Sequence, residues 1–235
     1  MEKSIQSLID EELNRDNSKD RKRSGKYIAS NLGRCYRLQY WYRLGEPFSE
    51  ELDARTLRVF KAGDLFHEFV QNIVSKQENV QIELQGEDDD FIWRADIVLP
   101  DEVIECKSQH SRAFWHNNKA REDGKFEEKK EPNILQATFN AMKFNKPNAR
   151  LVMISKDDLC IDEYIFFVDK WKEKLNNEVK TLMDWWEKKE LPPAEPRAYK
   201  SFKKDGTIEI KDCDYCPFKT TCVETEKGKE EQNGT

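Results

Sequence analysis

The sequence predicts an α/β or α+β protein in which helices flank a mixed sheet. Three observations carry that prediction. Apolar residues recur at helical spacing over 30–43, 53–76, 133–145 and 169–189. They alternate with period two over 80–85, 91–99 and 102–108. Two short apolar runs, 150–155 and 163–168, lie between the last two helices. The 235 residues suit one large domain, or one domain with an appendage, and contain no internal repeat.

Each element follows from local signals. Ile5, Leu8, Ile9 and Leu13 mark a short amphipathic helix over 1–15. The segment 16–26, DNSKDRKRSGK, holds seven charges and no apolar residue and reads as a basic linker. Leu32, Cys35, Tyr36, Gln39 and Tyr40 then repeat at helical spacing from Ser30 to Arg43, and Gly45 with Pro47 ends that helix. A long helix over 53–76 carries the stripe Val59, Phe66, Phe69, Val70, Ile73 and Val74, with Gly63 inside it. VQIELQ (80–85), FIWRADIVL (91–99) and EVIECKS (102–108) read as strands, the last two joined by a tight turn at Pro100-Asp101. The polar stretch 108–132 shows no hydrophobic period and is expected to be a functional or disordered loop. The 169–189 helix turns Trp171, Leu175, Val179, Leu182 and Trp186 inward. After Pro192-Pro193 the chain is expected to be irregular, ending in DCDYCPFKTTC and a charged tail. The expected organisation is a helix and basic linker over 1–27, a core over 28–192, and a cysteine-bearing tail over 193–235.

Composition narrows the function. Charged residues make up 37% of the chain, yet 13 Phe, 6 Trp and 7 Tyr supply enough apolar surface for a core, which excludes wholesale disorder. No apolar run approaches the ~20 residues that span a bilayer, and the N-terminus lacks the apolar stretch of a signal peptide. A soluble, cytoplasmic protein without a membrane partner is expected. The net charge of −6 argues mildly against nucleic acid as a partner. Six cysteines without a secretion signal point to metal ligation or burial rather than disulfides.

The central hairpin carries the sharpest chemistry. A turn centred on Pro100-Asp101 pairs residues whose numbers sum to 201, which places Asp96 opposite Glu105. Directly opposed side chains have Cβ atoms about 5 Å apart, so two carboxylates would share one face. Lys107 points the same way, while Phe91, Trp93, Ala95, Ile97, Leu99, Ile104 and Cys106 take the other face. Adjacent carboxylates repel unless a proton or cation lies between them. Mg²⁺ and Mn²⁺ prefer such oxygens, and a neighbouring lysine suits phosphoryl chemistry. Glu-x-Lys alone says little, since it occurs six times, but only the Glu105 copy lies in an apolar strand opposite an aspartate. A surface ladder of salt bridges is the alternative. His67 flanks the apolar stripe of the 53–76 helix, where it is either a packed rim residue or a third metal ligand.

Cys213, Cys216 and Cys222 form C-x2-C-x5-C, three thiolates that leave a metal centre one ligand short. Cys35 is the candidate for the fourth; Cys106 belongs in a buried strand, and Cys160 reads as a plain loop or strand-edge residue. Zinc and a [4Fe-4S] cluster both accept four cysteines, and spacing does not separate them.

In their order along the chain, Gly63-xxx-His67, Asp96, Glu105-Cys106-Lys107 and Gln136, with one early and three late cysteines, resemble the RecB-like PD-(D/E)XK iron–sulfur nucleases. The resemblance is to the CRISPR-associated members and their phage or archaeal relatives, and it covers Cys35 to Cys222. It implies a restriction-endonuclease-like core, with a mixed sheet flanked by helices and a four-cysteine cluster joining the N-terminal helix to the tail. It implies that His67, Asp96, Glu105 and the Cys106 carbonyl bind Mn²⁺ or Mg²⁺, that Lys107 is the catalytic lysine, and that Gln136 helps position the site. It further implies that Cys35, Cys213, Cys216 and Cys222 hold a [4Fe-4S] cluster, and that the substrate is single-stranded DNA, degraded mostly as an exonuclease. The implied partners are a CRISPR integrase, in antiviral defence, or recombination proteins. One departure stands out: the family helix often reads Gln-xxx-Tyr, and here Asn140 occupies the tyrosine position with Phe139 beside it.

Candidate guides for the strand mix cations with aromatics. They are Arg112, Phe114, Trp115, Lys119, Arg121 and Lys125 in the 108–132 segment, and Tyr199 to Lys204, with Lys200, Lys203 and Lys204 as its cations. The competing readings are a non-catalytic adaptor that keeps the fold and a zinc-stapled nucleic-acid-binding protein.

Overall fold

The computed structural model describes residues 3–17, 24–203 and 205–233. Most of the expected basic linker and Lys204 lie outside the described residues. In chain order the elements are α1 (Ile5–Asn17), β1 (Tyr27–Ile28), α2 (Tyr36–Leu44), α3 (Ala54–Val74), β2 (Gln81–Glu87), β3 (Phe91–Val98) and β4 (Glu102–Gln109). There follow α4 (Ser111–Glu122), α5 (Phe126–Lys129), α6 (Glu131–Lys143), β5 (Asn148–Ser155), β6 (Ile161–Phe167) and α7 (Val168–Lys188). The tail adds β7 (Lys200–Phe202), β8 (Ile208–Ile210) and α8 (Lys219–Asn233).

The expected mixed sheet with flanking helices is present. Its order is β1-β3-β4-β5-β6, with β2 also paired to β3. β4 and β5 run parallel, so α4, α5 and α6 form the crossover between them. β3 pairs antiparallel with β4 in the register that the Pro100-Asp101 turn dictates, Ile97 with Ile104 and Val98 with Val103. One sheet face packs Phe91, Ala95, Leu151 and Met153 against α6 and α7. The other packs Ile97, Ile104, Cys106, Val152 and Ile154 against Phe66, Val70 and Val74 of α3. A third cluster joins Leu38, Tyr40 and Trp41 of α2 to Phe218 in the tail.

Four expectations need correction. The 108–132 segment is not a loop but α4 and α5, because the buried stripe of α4, Phe114, Asn117 and Ala120, contains a polar member that hides the period. The helix expected from Ser30 begins only at Tyr36. Gly33 interrupts it at φ 79°, where a Cβ would lie 3.0 Å from the Pro132 backbone, so the N-terminus of α6 packs directly on this turn. On α3, Val59, Phe69 and Ile73 are about half exposed, and Phe69 and Ile73 line an open cavity with Ile97, Ile104 and Val152 while Phe66, Val70 and Val74 pack on the sheet. The tail is ordered as a small hairpin and a helix. Among the described residues, no helix is long and apolar enough to cross a membrane.

Candidate active site

The hairpin ladder breaks at Asp96, and that break makes the site. Asp96 is not paired with Glu105; its Oδ2 accepts the Cys106 N–H at 2.7 Å, so the strands part where the register would have opposed the two acids. On the other side of β3 the register sets Asp96 against Glu83, which is also unpaired and adopts φ 51°. The alternation slips there. Phe91, Trp93 and Ala95 face the α6–α7 core, whereas Ile97, Leu99, Ile104 and Cys106 face α3, which corrects the single apolar face expected for them. Such breaks re-aim side chains beside functional sites.

Glu105 and Lys107, on the opposite face of β4 from Cys106, look toward α6. Lys107 Nζ donates to Glu105 Oε1 at 2.6 Å and to Gln136 Oε1 at 3.4 Å. Glu105 is 1% exposed, and its second oxygen, Oε2, is buried without a partner. Burial first, and then the Asp96 charge, raise the Glu105 carboxyl to about 7. Burial alone would lower the Lys107 ammonium, but Glu105 and Asp96 outweigh it and hold the group above its ordinary value. From α3, His67 Nδ1 stands 3.8 Å from Asp96 Oδ1. Gly63, one turn earlier, packs beside Ser108. His67, Asp96, Glu105, Lys107 and Gln136 therefore meet at one place.

Asn140 is fully buried and donates to the Arg94 carbonyl at 2.9 Å, tying α6 to β3. Phe139 does not fill the missing tyrosine's space; its ring packs on Phe91 and Trp93 inside the core. Sequence reasoning missed Gln71, one turn beyond His67 on α3 and buried, whose amide reaches Glu83 and the Asp96 carbonyl. A glutamine four residues after the histidine on an apolar stripe was the available signal. It also missed Lys130, the residue capping α6, whose ammonium feels the Lys107 charge. Nothing in its charged surroundings, FEEKKE, singled it out.

Cys106 and Cys160 lie apart from the other four cysteines. Cys106 is buried in β4 and Cys160 is exposed before β6. Cys35, Cys216 and Cys222 all border the α2–Phe218 cluster, and the Cys213 thiol feels both Cys35 and Cys222. Cys35 precedes α2 at its N-terminus. Arg37, 1% exposed, donates to Cys222 Sγ at 3.4 Å and to the Pro192 carbonyl at 2.7 Å. Burial pushes the Cys216 thiol up to about 11, so a metal would have to displace its proton.

A buried ion network holds this patch to the core. Asp212, next to Cys213, accepts Arg34 Nε at 3.0 Å and the Cys35 N–H at 2.9 Å. Glu178 of α7 accepts Arg197 at 2.7 and 2.9 Å, Tyr36 Oη at 2.9 Å and the Gly33 N–H at 3.0 Å.

Among the described residues, no group of three or more His, Cys, Asp or Glu side chains is gathered tightly enough to hold a metal ion. The chemistry nevertheless fits one at each place. The unpartnered Glu105 Oε2 is an acceptor lacking a cation, and the four thiols with their arginine donors are a soft-metal donor set.

Of the guide residues, Tyr199 is close enough to Lys107 to act on its charge. Arg112, Trp115 and Lys119 lie on one exposed face of α4, Trp115 being 58% exposed. Arg121 is held by Asp162 at 2.8 Å and stacks over Phe126. Lys203 pairs with Glu209 at 2.6 Å.

No family model and no curated protein matches the chain. Among solved structures, SSO0001 superposes with a TM-score of 0.58 at 16% identity, over 94% of this chain and 98% of that one. An alkaline exonuclease from Laribacter hongkongensis, LHK-Exo, gives 0.51 at 17% identity, over 71% and 90%. A phage-related exonuclease from Haemophilus somnus 129PT gives 0.50 at 11% identity, over 69% and 94%. At these identities the likeness establishes the fold.

Proposed function

We propose that the protein is a divalent-metal-dependent deoxyribonuclease that hydrolyses phosphodiester bonds of single-stranded DNA, chiefly as an exonuclease. The observation that carries this reading is the buried Glu105 carboxylate, with one oxygen on Lys107 and the other without a partner, close to Asp96. A buried carboxylate oxygen without a donor calls for an explanation, and between Asp96 and Lys107 a bound cation supplies one. The exonuclease fold of LHK-Exo, also solved in complex with dAMP, supports it.

His67, Asp96, Glu105 and the Cys106 carbonyl would hold Mn²⁺ or Mg²⁺, which supplies Lewis acidity toward the scissile phosphate. The chain's own residues do the rest. Lys107, kept charged by Glu105 and Asp96, stabilises the negative charge that grows on the phosphate, and Gln136 Oε1 orients its ammonium. Asp96 is itself oriented by the Cys106 N–H.

Cys35, Cys213, Cys216 and Cys222 would hold a [4Fe-4S] cluster that clamps the tail onto α2. Anaerobically purified protein is then brown, and colourless protein containing zinc refutes the iron–sulfur assignment. The resemblance further implies a CRISPR integrase or recombination proteins as partners, and the neighbouring genes decide between them. The test of the active site is cleavage of end-labelled single strands with Mn²⁺ by Lys107→Ala and Asp96→Ala. Undiminished cleavage by both variants overturns it.

A further inference from the structure

Asp96 is passed over by both neighbouring strands. The β2–β3 register runs from Ile82 with Ile97 to Leu84 with Ala95, and the β3–β4 register reaches no further than Ile97 with Ile104. Glu83, which β2 would set against Asp96, sits at φ 51°, a left-handed conformation that such a residue keeps only where its surroundings hold it. One side chain spans this gap. Gln71 of α3, 6% exposed, donates through its amide nitrogen to Glu83 Oε1 at 2.5 Å and, over a longer 3.5 Å, to the Asp96 carbonyl. Arg94 Nε holds the other Glu83 oxygen at 3.0 Å.

Gln71 follows His67 by one helical turn, so both side chains leave α3 on the same side. His67 Nδ1 and Asp96 Oδ1 stand 3.8 Å apart, too far for a hydrogen bond, so these two groups do not fix their own separation. The other carboxylate oxygen, Asp96 Oδ2, is committed to the Cys106 N–H, which ties it to β4 rather than to α3. The hydrogen bond that ties α3 to Asp96 is that of Gln71.

We infer that Gln71 is a positioning residue of the metal site: its amide clasps α3 to the break between β2 and β3, and so sets the distance between His67 and Asp96 on which affinity for Mn²⁺ or Mg²⁺ depends. The inference rests on the nuclease reading and adds to it a residue that touches neither the metal nor the strand.

The test measures metal binding without cleavage. Mn²⁺ is titrated calorimetrically into protein stripped of divalent ions, and the binding absent from Asp96→Ala defines the site. Gln71→Met keeps the length of the side chain and removes its donors; it should raise the Mn²⁺ Kd about tenfold. Its cleavage of single strands should fall at limiting Mn²⁺ and return to the wild-type rate at saturating Mn²⁺, with KM for the strand unchanged. Val70→Ala, which loosens the packing of α3 on the sheet, should lower the melting temperature and leave the Kd as in wild type. Glu83, only partly buried, supplies a pair of variants that fold even where Gln71→Met does not: Glu83→Leu removes one arm of the clasp and should weaken Mn²⁺ binding, whereas Glu83→Gln keeps an acceptor and should not. An unchanged Kd in Gln71→Met overturns the inference, as does an equal rise in Val70→Ala, or equal weakening by the two Glu83 variants. If wild type shows no Mn²⁺ binding that Asp96→Ala removes, the nuclease reading itself fails and this inference with it.

Discussion

Glu105 and Glu178 are both buried glutamates, 1% and 6% exposed, and they behave in opposite ways. Glu178 is saturated by Arg197, Tyr36 and the Gly33 N–H. Burial alone would raise its carboxyl, but these donors outweigh it and leave it below its ordinary value. Glu105 has one donor, a second oxygen with none, and Asp96 nearby, and its carboxyl rises to about 7. Burial is common to both, so burial does not mark function. Glu178 is satisfied within the fold; Glu105 keeps one buried oxygen without a hydrogen-bond partner, beside a second acid and a lysine.

The largest effect expected is on chemistry. Glu105→Gln should reduce cleavage of single strands by about 10³-fold, while the metal-free variant unfolds in urea no more easily than wild type. A loss of stability there would erase the contrast between the two residues.

Glu178→Ala should do the reverse. It leaves the partly buried Arg197, Tyr36 Oη and the Gly33 N–H without their acceptor, which costs about 3 kcal/mol in urea unfolding. Any activity loss should track the folded fraction. A stable but inactive Glu178→Ala would place Glu178 in the site.

The contrast sharpens with pH in protein stripped of divalent ions. A lowered folded pKa means that Glu178 contributes stability above about pH 4.5, its ordinary value, and loses it as pH falls below. A raised one means that Glu105 costs nothing below 4.5 and an increasing amount from 4.5 to about 7. Melting temperature against pH should decline at both ends, Glu178→Gln flattening the acid side and Glu105→Gln the side toward neutrality. Added Mn²⁺ should flatten the latter in wild type.

The smallest effect belongs to Asn140. Asn140→Ala removes its hydrogen bond to the Arg94 carbonyl and should cost about 1–2 kcal/mol in urea unfolding. Cleavage at saturating strand should remain at the wild-type rate, because Asn140 serves the α6–β3 contact. A large drop in rate with stability intact would return it to the site.

Much of the candidate site was legible because it is local. Asp96, Glu105 and Lys107 lie within one hairpin, where period two and a tight turn set the register over a dozen residues, and Ile97 opposite Ile104 follows that register. The break at Asp96 was not legible, since it arises from a side chain competing for the Cys106 N–H. Nor were α4 and α5, where buried Asn117 sits in the stripe that should have signalled a helix. Phe139 illustrates a related limit: adjacency in sequence to Asn140 did not place it in the same environment, because neighbouring residues on a helix point about 100° apart.

What the sequence alone determined is the hairpin with its acids and lysine and the helices that flank the sheet. Each rests on periodicity or spacing within a short stretch, where geometry is dictated by the backbone itself. The tertiary structure decided which buried charges are satisfied. Arg34 meets Asp212, Arg197 meets Glu178, and Glu105 is left with one oxygen unpartnered. Those pairings join residues far apart in the chain, or depend on which partner a neighbour has already taken, and no local pattern encodes either.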